Sequence, residues 1–515
     1  MSDGLTHGRR QTIDRLGGDV DLLIIGGGIV GSGIARDAAM RGLRTVVVDQ
    51  YDFAFGTSSR SSRLLHGGLR YLAQGRIGLV REASVEKVTL AKIAPHLAQP
   101  LPFVFPTYKK NGWPRWKLRI GVKVYDLLCS GGNLGRSRGL SPAATVELLP
   151  GVRTDRLTGG VRYFDGLTND ARLVLDTLRS AAAAGASAVN YLALTSAERD
   201  TDGWMCQLRD GEEERTIPVR ARTVVNAAGA WATRLKQSRV RLRLTKGIHI
   251  VIDRGRLPVD DAVVMTEGKR ILFVIPWGQR VILGTTDTDY DGPTDSPDCT
   301  DADVAYVLGV TNTNFPAANL SSADVISAWS GLRPLIADPH GRPSDISRAH
   351  QIAWGESGWL DVAGGKLTTY RLMAEQSVDR IFEYLGRASP ACRTAEEPIL
   401  AASAGPTYSG IVPPAVAQAA VMHFCQNEWA RHLDDVMIRR TSWRYYHREH
   451  RDLARQVAGW MAAALEWSPA RTAEEIERYE RMTASLAATW QPQPTAGGAA
   501  ASDEKWPGVA ARAAS

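Results

Sequence analysis

An α/β chain with a parallel-sheet core, an antiparallel second sheet and a helical C-terminal region is predicted by three observations. Residues 20–49, VDLLIIGGGIVGSGIARDAAMRGLRTVVVD, set a glycine-rich turn between two apolar runs and close on an acid. Residues 242–285 alternate in β-branched runs (IHIVI, AVVM, ILFVIP, VILGTT), the period of an antiparallel sheet. Beyond Pro398 the pattern turns helical, over 415–430, 452–466 and a helix opening at Ser468-Pro469, where serine suits the N-cap and proline the first helical position.

In the first region Leu22 to Ile25 reads as a buried parallel strand, and Gly26, Gly28 and Gly31, with Gly27 between them, fall at the spacing of a dinucleotide fingerprint. Gly26 lets the chain turn, Gly28 lets backbone approach a pyrophosphate, and Gly31 lets the helix that begins near Ile29 pack on the sheet. The N-terminus of that helix offers unpaired N–H groups and a positive dipole end to phosphates. Asp49 suits a ribose 2′-hydroxyl and repels a 2′-phosphate, which disfavours NADP. The turn alone leaves FAD and NAD open.

The chain does not continue in regularly spaced βα units, which argues against a simple NAD domain. A polar segment rich in Ser and Gly intervenes, followed by a helix over 171–184, a strand over 188–195, a hairpin over 204–220 and the run TVVNAAG at 223–229. A strand ending in Asn226-Ala-Ala-Gly229 can bring backbone against a dinucleotide, and its position matches the two-part FAD domains of glutathione-reductase type. A strand over 359–362 then leads into AGGKLTTYR and a helix to about residue 385, again setting a helix N-terminus against negative charge. The fold class is therefore α/β: a two-part FAD-binding Rossmann-like domain with an antiparallel-sheet substrate domain and a C-terminal helical domain. The expected division is a flexible arm at 1–18, the FAD domain at 19–397 with its substrate part at roughly 84–165 and 235–345, the helical domain at 398–490 and a disordered tail at 491–515.

Composition narrows the partners. The 515 residues are 44% apolar and 23% charged, and no run approaches the roughly 18 apolar residues of a membrane span. An excess of 62 basic over 55 acidic residues, +7, suits an anionic substrate, an anionic lipid surface or simple solubility. No nucleic-acid partner is expected. The five cysteines lie far apart, with no CxxC pair or metal spacing, and read as reduced, mostly buried residues of a cytosolic protein that holds no metal. Arg9-Arg10 precedes no apolar run, so it reads as a basic arm and not an export signal.

The most specific segment is TSSRSSRLLHGGLRYL at 57–72. With DARLVLD at 170–176, KGIHIVI at 246–252, FVIPW at 273–277, LGTTDTDY at 283–290, SGLRPL at 330–335 and GGKLTTYR at 364–371, it resembles the FAD-dependent (aerobic, quinone-linked) glycerol-3-phosphate dehydrogenases. The resemblance runs from about residue 19 to 385 and extends more weakly to DVMIRRT at 435–441. It implies FAD as cofactor, with Thr57, Ser58, Ser62, Leu64 and His66 near the pyrophosphate and flavin, and Gly229, Lys366, Leu367 and Thr368 completing the site. The loop departs from the family in carrying Arg63 where lysine is usual, with Arg60 before it; the charge is kept.

The substrate so implied, glycerol 3-phosphate, carries close to two negative charges and needs forked cationic donors. Arg70, Arg333 and Lys366 are the candidates, with Tyr71 beside them. Lys366, at a helix start, would also stabilise negative charge building on the flavin pyrimidine ring. His249 lies in an alternating apolar strand, where a lone histidine is ordinarily structural. The resemblance makes it the expected base, since its unperturbed pKa lies near the working pH; His66 is the alternative. The implied reaction removes the C2 hydroxyl proton while hydride passes from C2 to flavin N5, giving dihydroxyacetone phosphate. Without a second nicotinamide fingerprint or clustered cysteines, a membrane quinone is the expected acceptor. WPRWKLRIGVKVY at 113–125 reads either as a segment lying on an anionic lipid surface or as a core helix with a solvated basic edge. The expected location is cytoplasmic, peripheral to the inner face of the cell membrane, with a homodimer among the expected assemblies. Competing readings are an oxygen-using glycerol-3-phosphate oxidase, an amine or amino-acid oxidase of the same superfamily, and a catalytically silent FAD-binding protein.

Overall fold

Val20–Ile25 is buried on both faces, as its unbroken apolar run requires: Leu22 and Ile24 meet a helix layer, while Leu23 and Ile25 join a core with Trp204 and Trp359 on the other side. The computed structural model describes residues 9–72, 74–109, 113–129, 132–268, 270–337, 350–400 and 408–485. Trp359–Gly364, Thr216–Asn226, Val20–Ile25, Thr45–Val48 and Ser187–Val189 lie side by side in that order, all parallel. The hairpin Leu192–Asp200 and Gly203–Asp210 continues antiparallel from the first half of Thr216–Asn226, and His350–Glu356 pairs antiparallel with Trp359–Gly364. Helices Ile29–Met40, Asp170–Ala183 and Tyr370–Tyr384 pack together over one face. The fingerprint turn thus sits at the carboxyl end of a parallel strand, where such sheets hold ligands.

The second sheet has ten strands among the described residues. Leu242–Asp253 pairs antiparallel with both Val325–Ile336 and Arg280–Gly284, which lead through Arg270–Trp277 and Ala262–Glu267 to Gln99–Tyr108 and Leu157–Leu167. The joint between Ala262–Glu267 and Gln99–Tyr108 is parallel. Leu64–Leu65 also joins this sheet, so it reaches further back in the chain than the expected start at 84.

The expected flexible arm is corrected over residues 9–17. Arg9–Asp14 is helical and Arg15–Gly17 a 3₁₀ turn, with Ile13 and Leu16 buried against the parallel sheet and Arg9 paired to Asp210 at 2.9 Å. Two buried aliphatic side chains, at about 1.5–3 kcal/mol each, add to the helical hydrogen bonds and the Arg9 pair in holding this short piece. Its polar composition hid them.

Helices Gln418–Asn427, His450–Leu465 and Pro469–Ser485 build a further core around Trp443. Ser468 caps the last of them, accepting from Arg471 N–H at 3.1 Å. Buried ions bind this region to the parallel sheet. Arg440 donates to Asp52 Oδ1 at 2.9 Å while Arg439 also reaches the Asp52 carboxylate, and Arg172 donates to Glu428 at 2.9 Å. Burial alone would raise the Asp52 carboxyl; the two guanidiniums more than reverse this and hold it below its ordinary value. The motifs DARLVLD and DVMIRRT, through Arg172, Arg439 and Arg440, are therefore the clasp between the two regions.

Among the described residues no helix is long and apolar enough to cross a membrane.

Candidate active site

A cleft of about 2020 Å³, its open mouth included, is lined from both sheets. At its floor Gly26 turns with φ +108°, and a Cβ there would lie 2.6 Å from Ala227 O. A Cβ on Gly31 would lie 1.9 Å from Gly26 O, so neither position admits another residue. Gly28 opens on the N-terminus of Ile29–Met40, where Ser58 Oγ accepts from Ile29 N–H at 3.0 Å. Asp49 accepts from Gly27 N–H at 2.7 Å and Tyr51 N–H at 2.9 Å. Burial pushes its carboxyl up to about 7 against the pull of those two donors. Tyr51, Phe55 and Trp231 also line the cleft, Tyr51 lying 4.3 Å from Phe55 and 6.1 Å from Trp231 between ring centroids. Sequence reasoning missed these rings. Their one signal was Trp231 standing two residues after Gly229.

The serine loop is held from outside the cleft. Asp170 accepts from Ser61 N–H at 2.9 Å and Ser61 Oγ at 2.7 Å, and Thr57 Oγ1 donates to Leu332 O at 2.7 Å. Thr57, Ser58, Ser62, Leu64 and His66 all face the cleft. Arg63 does not. At φ +57° its side chain turns back over Trp277, 4.4 Å from the ring centroid, and donates to Ser442 Oγ at 3.0 Å. Its charge is thus kept out of the cleft, against rings on the same face of the sheet as His249.

Two segments distant in sequence are stitched at His66, whose N–H donates to Thr368 Oγ1 at 3.0 Å while that hydroxyl reaches back to His66 O at 3.3 Å. This brings the HGGLRY loop to the turn carrying Gly364, Lys366 and Leu367. Lys366 Nζ lies 4.5 Å from the Tyr71 ring centroid. The side chain of Arg70 lies outside the described residues. Gly67 N–H donates to Tyr125 OH at 2.6 Å, so the same loop rests on the helix Arg115–Leu127.

The remaining wall is made by paired strands. His249 stands opposite Trp329, Gly247 opposite Gly331 and Thr245 opposite Arg333. A Cβ on Gly247 would lie 2.3 Å from Arg333 Nη2, and one on Gly331 would lie 2.5 Å from Arg60 O. The two glycines let the Arg333 guanidinium and the Arg60 backbone lie close against the sheet beside His249. Arg333 donates to Thr285 Oγ1 at 3.0 Å, Thr286 O at 3.3 Å and Asp287 at 3.2 Å. His249 is 2% exposed and stacks on Trp329 at 5.1 Å and 19°. Its Nε2 lies 2.8 Å from Ser62 Oγ, and among the described residues its buried Nδ1 has no hydrogen-bond partner.

The expectation that His249 titrates near working pH is corrected. Burial first, then the charges of Arg333 and Arg63, lower its pKa to about 3. In the free protein the ring is neutral and available to accept a proton.

Residues 21–371 match the family described as FAD dependent oxidoreductase, and residues 408–472 match the C-terminal domain of alpha-glycerophosphate oxidase. Glycerol-3-phosphate dehydrogenase 2 of Mycobacterium tuberculosis is 35% identical over 92% of this chain and 89% of its own. The chain belongs to the FAD-dependent glycerol-3-phosphate dehydrogenase family. The aerobic glycerol-3-phosphate dehydrogenase of Staphylococcus aureus is 39% identical over 71% of this chain and 68% of its own. The glycerol-3-phosphate dehydrogenase from Bacillus halodurans complexed with FAD superposes with a TM-score of 0.76, at 28% identity, covering 96% of this chain and 100% of that one.

As a member of this dehydrogenase family the chain is an enzyme whose cofactor is FAD, and the cleft fits it. A Cβ on Gly229 would meet nothing within 4 Å, and one on Gly28 only Ser58 Oγ at 3.2 Å, which leaves the space a pyrophosphate needs. Asp49 suits a ribose hydroxyl, and the three aromatic rings near it suit a flat base.

Proposed function

We propose that this chain oxidises sn-glycerol 3-phosphate at C2 to dihydroxyacetone phosphate and passes the electrons to a membrane quinone. The observation that carries this reading is that His249 and Arg333, on paired strands, line the same cleft as the dinucleotide turn. Arg333 supplies two forked donors for a phosphate dianion, and Lys366 adds charge from the stitched loops. His249 takes the C2 hydroxyl proton. When bound, FAD would supply the acceptor for the C2 hydride. A phosphate dianion beside Arg333 offsets one of the charges that depress His249 and so strengthens it as a base when substrate is present.

Anaerobic mixing with a panel of polyol phosphates tests the reading: glycerol 3-phosphate bleaches the flavin absorbance and unphosphorylated glycerol does not. Equal bleaching by both, or by neither, refutes it. Turnover followed by quinone reduction against peroxide formation separates the dehydrogenase from the oxidase, with quinone reduction expected to dominate. Replacing Arg333 with methionine removes charge-assisted hydrogen bonds worth about 2–3 kcal/mol, a loss of roughly 30- to 150-fold in kcat/KM. Steady-state kinetics should show most of that loss in KM.

The acceptor reading draws support from Arg115–Leu127, which is amphipathic on both sides. Leu118, Val122 and Tyr125 are buried in the core, while Trp116, Ile120 and Leu127 are 67%, 57% and 83% exposed among Arg115, Lys117, Arg119 and Lys123. The two sequence readings of this segment thus describe opposite faces of one helix. An exposed tryptophan and two aliphatics in a basic surround suit the headgroup region of an anionic leaflet. Neutralising Arg115, Lys117 and Arg119 should abolish flotation with anionic liposomes; undiminished flotation would remove this helix from the membrane reading.

A further inference from the structure

We propose that Arg63 is a positioning residue for this reaction: through Trp329, its buried guanidinium holds the His249 ring in place at the cleft wall. The inference rests on His249 being the base.

Arg63 is 2% exposed, yet among the described residues its guanidinium donates a hydrogen bond to Ser442 Oγ alone, and its nearest carboxylate oxygen, Asp170 Oδ1, is 3.9 Å away. Its Nε and Nη1 have no hydrogen-bond partner among the described residues. A cation so placed is costly unless something offsets its desolvation. The offset present is aromatic: the guanidinium carbon lies 4.4 Å from the Trp277 centroid and 5.5 Å from that of Trp329. Trp329 is the ring on which His249 stacks.

The backbone explains why this residue is linked to the histidine twice. Ser62 and Arg63, the latter at φ +57°, reach the histidine from two sides. Ser62 puts its hydroxyl on His249 Nε2 at the ring edge, and Arg63 reaches the tryptophan that covers the ring face. The charges facing His249 are Arg333 from the adjoining strand and Arg63 from the serine loop; Asp170 and Tyr445 face Arg63 in turn. Both arginines oppose protonation of the imidazole, and Arg63 does so without touching substrate. Lysine in its place would keep the charge but lose the planar stack.

The test is the pH profile of flavin reduction, by anaerobic stopped flow on FAD-loaded enzyme, for wild type, Arg63→Met, Arg63→Lys and His249→Asn. In Arg63→Met the acid limb moves upward by about one pH unit, a tenfold change in proton affinity. Its rate at pH 8 falls about tenfold as the ring loses its fixed orientation. Arg63→Lys keeps the acid limb in place and remains several-fold slow. An Arg63→Met enzyme with full FAD and an unmoved acid limb overturns the proposal. Should that variant fail to fold, Arg63→Lys decides: a wild-type rate overturns it, a slow rate with an unmoved limb supports it. If His249→Asn reduces flavin as fast as wild type, the base assignment itself fails. A slow His249→Asn beside an unmoved Arg63→Met refutes only the role of Arg63.

Discussion

Replacing His249 with asparagine is expected to slow reduction of the bound flavin by about a hundredfold or more, the range lost with a positioned general base. The cofactor should remain bound. His249 stands on the strand Leu242–Asp253, whereas the dinucleotide turn and Asp49 belong to the parallel sheet. The asparagine amide overlays Nδ1 and not Nε2, so the bond to Ser62 Oγ goes with the base while the backbone pairing of the strand is kept. What it cannot do is accept and keep the C2 hydroxyl proton. Single-turnover mixing with glycerol 3-phosphate under anaerobic conditions reads this directly, and an unchanged rate would transfer the role elsewhere, first to His66. The depressed proton affinity of the free histidine is no obstacle. Its cause includes Arg333, whose charge the incoming phosphate offsets.

Asp52→Asn should destabilise the protein by about 3–5 kcal/mol, the cost of leaving a buried charge without its partner. Asp52 is fully buried and receives Arg439, Arg440 and Asn190, the last at 2.9 Å. Arg439 would still have Asp434 and Asp435, but Arg440 would be left with a carbonyl, Glu428 O. The expected result is an earlier thermal transition together with loss of FAD, since Asp52 is three residues from Asp49 and the loop between them borders the cleft. Arg481→Gln, which breaks a pair with both partners more than 60% exposed, should leave the transition where it is. Equal effects from the two variants would refute a clasp made of buried charge.

The parts of this site legible in the sequence are those fixed by spacing along one segment. Gly26, Gly28, Gly31 and Asp49 declare themselves because a strand, a turn and a helix must follow one another at set intervals, and the alternation around His249 announces a strand. Features that depend on long-range packing were hidden. Arg63 looks like one more polar residue of a serine loop, and only the positive φ at that position sends it away from the cleft. The low proton affinity of His249 arises first from burial, then from a guanidinium on a neighbouring strand and another in the loop. Ile13 and Leu16 are too few to make a pattern, yet both are buried. The helix Arg115–Leu127 presented two apolar faces to a sequence reading that expected to choose one.

The clasp on Asp52 also orders events in time. The fingerprint turn and Asp52 leave the ribosome early, but the arginines that neutralise this carboxylate come 387 and 388 residues later. At about 5–20 residues per second the loop beside the cofactor site waits roughly 20–80 s for its counter-charges. Until they arrive, settling that loop would bury a bare carboxylate. Capture of FAD is therefore expected to come late in the life of the nascent chain, after the C-terminal arginines have been made.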